Sequence, residues 1–162
     1  MYKKSQNLRH SHFIGIPVSI ELEEIVNECR DYMAMVYGCR SGHGTPPHIT
    51  VVAPFALPDD AFERDVLEAA YRAYDLCREE KILPLKVEVC GFGSFAERTL
   101  FANVKDSDEW QKVHDIFSRE IYKAFPSCQK KSNRRFYPHL SIANRDIPTG
   151  AMDEALKHFA KL

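Results

Sequence analysis

Three observations predict an α+β fold for this chain of 162 residues. Short runs rich in β-branched residues alternate with stretches of helical periodicity. One hairpin interrupts that alternation near the middle, and a motif opening a strand near residue 48 returns near residue 139. The length suits one folding unit, or two small lobes sharing a core, and is too short for two independent domains of ordinary size.

The polar opening, residues 1–11, reads as a flexible N-terminus. Residues 13–18 follow as a strand closed by a turn at Pro17. Leu22, Ile25, Val26, Cys29, Met33 and Val36 share one face of a first helix, with Ser19 as its cap and Gly38 suited to its left-handed stop. A Gly/Pro loop over 39–47 leads to a strand at 48–55. Asp60 and Glu63 form a capping box for a second helix to about residue 81. LPLKVEVCGF and TLFANV, within 83–105, make the hairpin, with Gly91 and Gly93 as turn or bulge glycines. A third helix starts at Asp106 and carries Trp110, Val113, Ile116, Phe117 and Ile121. A loop over 126–138 precedes a strand at 139–143, and a last helix carries Met152, Leu156 and Phe159.

Composition excludes several classes. The apolar and charged fractions, 44% and 28%, are those of a globular protein rather than a disordered one. A net charge of −1 does not fit a protein gripping many backbone phosphates, so any nucleic-acid substrate is expected to be a nucleotide or a strand end rather than a long duplex, and duplex DNA is not an expected partner. The five cysteines are odd in number and contain no C-x-x-C, which argues for reduced thiols rather than a disulfide framework or a zinc site. No segment resembles a signal peptide or a membrane span, so the expected location is the cytoplasm, with no membrane partner. The sequence sets no oligomeric state.

The chemistry lies in the repeat. Pro47-His48-Ile49-Thr50-Val51-Val52-Ala53 and Pro138-His139-Leu140-Ser141-Ile142-Ala143-Asn144 match position by position in chemical type. Side chains alternate along a strand, so His48 and Thr50 share one face, and His139 and Ser141 likewise. Each copy offers an imidazole beside a hydroxyl, and neighbouring strands would gather all four groups. A plainer reading has these groups merely capping a strand edge. Chance would then have to produce Pro, His, aliphatic and hydroxyl twice in one frame, whereas the decoy His43-Gly44-Thr45 lacks that frame.

The sequence resembles the 2H phosphoesterase superfamily, especially its RNA 2′,3′-cyclic phosphodiesterases, also described as 2′–5′ RNA ligases. The resemblance rests on PPHITVVAPF at 46–55, VEVCGFGSF and TLFANV within 87–104, and FYPHLSIA at 136–143. It implies one bilobal domain over 12–162, built of two pseudo-symmetric α/β halves with antiparallel sheets around a cleft. It also implies catalysis by His48, Thr50, His139 and Ser141 without metal or other cofactor. Members usually carry another strand after the last helix, so the second half can lack its final strand here.

Other residues have two readings each. Lys130, Lys131, Arg134 and Arg135 either reach phosphate or line a solvated loop. Phe136 and Tyr137 either stack a base or pack into the core. Arg134, Arg135 and Tyr137 are the expected substrate contacts. His10 and His12 read as part of a polar end rather than metal ligands, and His114 and His158 as surface or boundary residues. The expected function is hydrolysis of a 2′,3′-cyclic phosphate. The alternatives are a noncatalytic nucleotide or RNA-end binding module, and a 2′–5′ RNA ligase or 2′–5′ oligonucleotide phosphodiesterase.

Overall fold

A computed structural model of the chain describes residues 11–131 and 134–162; most of the expected N-terminal segment therefore lies outside the described residues. The elements run β1 (Ser11–Pro17), α1 (Ile20–Tyr37), β2 (His48–Ala56), α2 (Glu63–Glu79), β3 (Val89–Phe95), β4 (Thr99–Val104), α3 (Asp108–Ala124), β5 (His139–Asn144) and α4 (Met152–Phe159). The strands form one sheet in the order β1-β2-β5-β4-β3. The α+β class holds, and among the described residues no strand follows α4.

The chain divides into two compact units, each discontinuous in sequence. Among the described residues, one comprises 11–14, 51–85, 108–131 and 134–136. Its core is built by α2 and α3. The two helices pack on each other, and their buried residues include the small Ala69, Ala73 and Cys77 on α2 and the bulky Trp110, Ile116 and Ile121 on α3. Large-against-small pairing of this kind lets two helices interlock at close range. The helix α2 starts two residues later than expected. Phe62, not Asp60, precedes it, and its N–H donates to the Asp65 carboxylate at 3.0 Å.

The other unit comprises residues 15–50, 86–107 and 137–162. Ser19 accepts the Leu22 N–H at the start of α1, and Gly38 ends the helix at φ 73°, both as the sequence indicates. The buried stripe of α1 is Val26, Cys29, Arg30 and Met33, with helical spacings of three and four residues. Ile25 and Val36, expected inside, are exposed because they lie roughly 70–90° around the helix from the centre of that stripe. An arginine stands where an aliphatic residue would be expected. α1 packs on β5, whose Leu140 and Ile142 are buried, as is Ile49 of β2.

β3 begins only at Val89, so residues 83–88 are not strand as expected. Pro84 supplies no N–H for a ladder. The pairing with β4 then shifts between Val89 and Phe92, where Gly91 takes φ 70°, so the bulge reading of this glycine holds.

The loop before β2 is anchored within the second unit. Its short 3₁₀ turn, Ser41–Gly44, starts with the Asp146 carboxylate accepting from the main chain of Arg40 at 2.6 Å and Ser41 at 2.8 Å. The Ser41 hydroxyl in turn accepts the Asn144 N–H at 2.8 Å. A Cβ on Gly42 would collide with the Ile142 carbonyl oxygen and crowd Arg30, whereas one on Gly44 would meet nothing within 4 Å. Gly42→Ala should therefore lower stability by about 1–3 kcal/mol, the usual range for forced overpacking. Gly44→Ala should be near neutral, and chemical denaturation midpoints of the two variants check the contrast.

Candidate functional site

The central strands set the geometry. β2 and β5 are antiparallel neighbours with Ile49 opposite Leu140. One step along in either direction places His48 across from Ser141 and Thr50 across from His139. Burial follows the same pattern in both strands. The histidines and hydroxyl residues are half-buried, while Ile49, Val51, Leu140 and Ile142 are buried. The two imidazoles and two hydroxyls therefore occupy one face, each ring beside the hydroxyl of the other motif.

The two rings are held alike. His48 Nδ1 lies 2.7 Å from the Pro46 carbonyl oxygen, and His139 Nδ1 lies 2.7 Å from that of Tyr137. A carbonyl can only accept, so both Nδ1 atoms carry the proton and the neutral rings bear their lone pair on Nε2. In each case the accepting residue precedes a proline. Pro47 and Pro138 fix φ near −65° and favour an extended residue before them, which turns that carbonyl toward the ring.

β4 extends the face. Phe101 pairs with Ser141 and Asn103 with His139, and Gly93 of β3 pairs with Phe101. A Cβ on Gly93 would press on the Phe101 ring at 3.0 Å and on Asn103 Oδ1 at 3.2 Å, so a glycine lets these two side chains reach the row. His139 meets Phe95 edge-on at 5.1 Å and lies 5.0 Å from Phe101. Tyr137 packs against both phenylalanines and donates its hydroxyl to Asn103 Oδ1 at 2.8 Å. The aromatic wall stands beside His139. It burdens the charged form of that ring. Burial holds the His139 pKa below the ordinary 6.5; the Tyr137 carbonyl opposes this and His48 adds to it.

One compact unit thus brings together His48, Thr50, His139, Ser141 and Tyr137. Arg134 and Arg135 are exposed and belong to the other unit. In that unit Lys130 Nζ donates to the Pro54 carbonyl at 2.6 Å, and Phe136 stacks on His114 at 4.5 Å, so for Phe136 the packing alternative holds. His114 Nδ1 also bonds the Val51 carbonyl at 2.7 Å, and His158 stacks on Tyr32 at 3.8 Å. Both are half-buried. The decoy His43 pairs with Asp31 at 2.9 Å in the 3₁₀ turn. Asn103, Phe95 and Arg30 escaped the sequence reading. Asn103 had one available signal, its place in TLFANV beside a strand that opens with histidine.

Among the described residues no three or more His, Cys, Asp or Glu side chains group as a metal site, and no helix is long and apolar enough to cross a membrane. The sequence profile of the 2′-5′ RNA ligase superfamily matches residues 16–162. The solved structures similar in fold include these two. TT0787 of Thermus thermophilus has TM-score 0.62 and 18% identity, over 86% of this chain and 76% of its own. A protein described as a phosphoesterase has TM-score 0.53 and 12% identity, over 83% of this chain and 72% of its own. No curated protein matches the chain.

The depressed His139 pKa has a sign that can be measured. Above pH 6.5 neither the folded nor the unfolded ring is charged. As pH falls below that value the unfolded chain takes up a proton that the folded one resists, so stability drops until the folded pKa is passed. Melting temperatures between pH 7.5 and 5 should show this slope in the wild type and a shallower one in His139→Gln.

Proposed function

The chain belongs to the 2′-5′ RNA ligase superfamily, and we propose that its His48–His139 site is a phosphoesterase centre that opens a 2′,3′-cyclic phosphate. The substrate is an RNA end or a small cyclic nucleotide. The observation that carries this reading is the register of β2 on β5, which sets each imidazole beside the other motif's hydroxyl. Thr50 and Ser141 hold non-bridging oxygens and stabilise the charge that builds on five-coordinate phosphorus. Proton transfer falls to the rings, so the step needs no metal. Tyr137, in the same unit as both histidines, borders the base side.

His139, held neutral by its surroundings, is the base. Its Nε2 takes a proton from water as the water oxygen attacks phosphorus. The bond from phosphorus to one ribose oxygen breaks, and His48 in its imidazolium form gives that oxygen a proton. The products are a phosphomonoester and a free ribose hydroxyl, and exchange with solvent resets both rings. Ligation is the same step with a different nucleophile: a ribose 5′-hydroxyl attacks the cyclic phosphate in place of water, gives its proton to the base, and the same ribose oxygen departs with a proton from the acid.

The test is a panel of nucleoside 2′,3′-cyclic phosphates, cyclic-phosphate RNA ends with and without a 5′-hydroxyl acceptor, and 2′–5′ oligonucleotides, with product isomers assigned by phosphorus NMR. His48→Ala and His139→Ala should each lose about 10²–10⁴ in turnover, and the double variant far less than their product. Thr50→Ala and Ser141→Ala should lose less, His43→Ala almost nothing, and EDTA should leave activity intact. The acid limb of the wild-type kcat/KM profile should fall below pH 6.5 and vanish in His139→Ala. Turnover absent on the whole panel, with nucleotide ends still bound, would indicate the binding module instead.

A further inference from the structure

Arg30 is 4% exposed, although burying a guanidinium is costly and an aliphatic side chain of the same volume would pack there at less expense. Its partners are oxygens of neutral groups. Nε and Nη2 converge on the Ser141 carbonyl at 3.3 and 3.2 Å. Nη1 donates to the Thr45 carbonyl at 2.9 Å and to Asn27 Oδ1 at 3.3 Å. Two of these oxygens belong to the candidate site's own framework. Thr45 stands three residues before His48, and Ser141 is the hydroxyl residue of the second motif.

The place where the fork lands matters. Leu100 pairs with Ala143 but Phe101 pairs with Ser141, so Ile142 is an extra residue and β5 bulges there. A bulge interrupts the ladder and re-aims the neighbouring side chain, so its main chain needs another source of donors. Arg30 supplies two of them at the Ser141 carbonyl. Gly42, packed on the Ile142 carbonyl and on the Arg30 stem, leaves no room for the bulge to relax toward the loop.

We propose that Arg30 is a positioning residue for the phosphate site. Its guanidinium clamps the bulged main chain of β5 and the loop before His48 in one frame, and so sets the direction of the Ser141 hydroxyl. The inference rests on the cyclic-phosphate reading of that site. Lysine would not serve equally, because a single ammonium cannot reproduce a planar fork.

A double-mutant cycle between Arg30→Met and Ser141→Ala tests it, with adenosine 2′,3′-cyclic phosphate as substrate. Arg30→Met should fold with a melting temperature near the wild type, since a matched apolar side chain replaces a buried charge. Its kcat should nevertheless fall about 10–100-fold, with KM changed less than about 3-fold, as for a group misplaced by a fraction of an ångström to 1 Å. In the Ser141→Ala background the same change should cost at most about 2-fold, because the group it aims is gone. Arg30→Lys should fall between Arg30→Met and wild type; if Arg30→Met does not fold, Arg30→Lys carries the cycle. Additive losses in an active enzyme, or a loss that only tracks the folded fraction, overturn the inference and leave the phosphoesterase reading standing. A folded wild type without turnover on the full panel overturns both.

Discussion

The antiparallel register that sets Ile49 against Leu140 is the constraint on which the candidate site depends. These two residues are fully buried, and a slip of one position would turn both aliphatic side chains out of the core and both histidines into it. Hydrophobic burial therefore enforces the polar geometry on the opposite face. The site needs no separate device to bring four groups together, because the core has already chosen which face each one occupies.

Register places the groups but does not orient the rings. That falls to the residue before each histidine. A proline has no N–H and a nearly fixed φ, so the carbonyl ahead of it is presented to Nδ1 without competition. The same distance, 2.7 Å, recurs at His48 and His139. Both lone pairs then sit on Nε2.

The shared face of each histidine and its hydroxyl was legible in the sequence, as were a capping serine and a left-handed glycine, because these rest on short-range rules such as period-two alternation; the register between the two strands and the carbonyls that hold the rings were not. The elements of the fold were legible for the same reason. Arg30 was not, because its place in the buried stripe of α1 is visible only by position, and its residue type reads as solvent-facing. The late start of β3 and the Phe62–Asp65 cap of α2 depend on which partner a chain segment meets, and local pattern carries no such information. The wall of Phe95, Phe101 and Tyr137 escaped for a related reason. Its members come from three strands or strand ends, and only the pairing of Asn103 with His139 lines them up.

The two motifs are near copies in residue type, ring fixation and burial, so they offer no intrinsic difference between giving and taking a proton. The difference comes from the neighbourhood, since aromatic rings crowd His139. In the proposed mechanism the direction of proton flow is thus a property of the bystanders. Under that mechanism, changing an aromatic side chain on β3 or β4 would retune which histidine gives a proton and which takes one, while His48 and His139 themselves stay untouched.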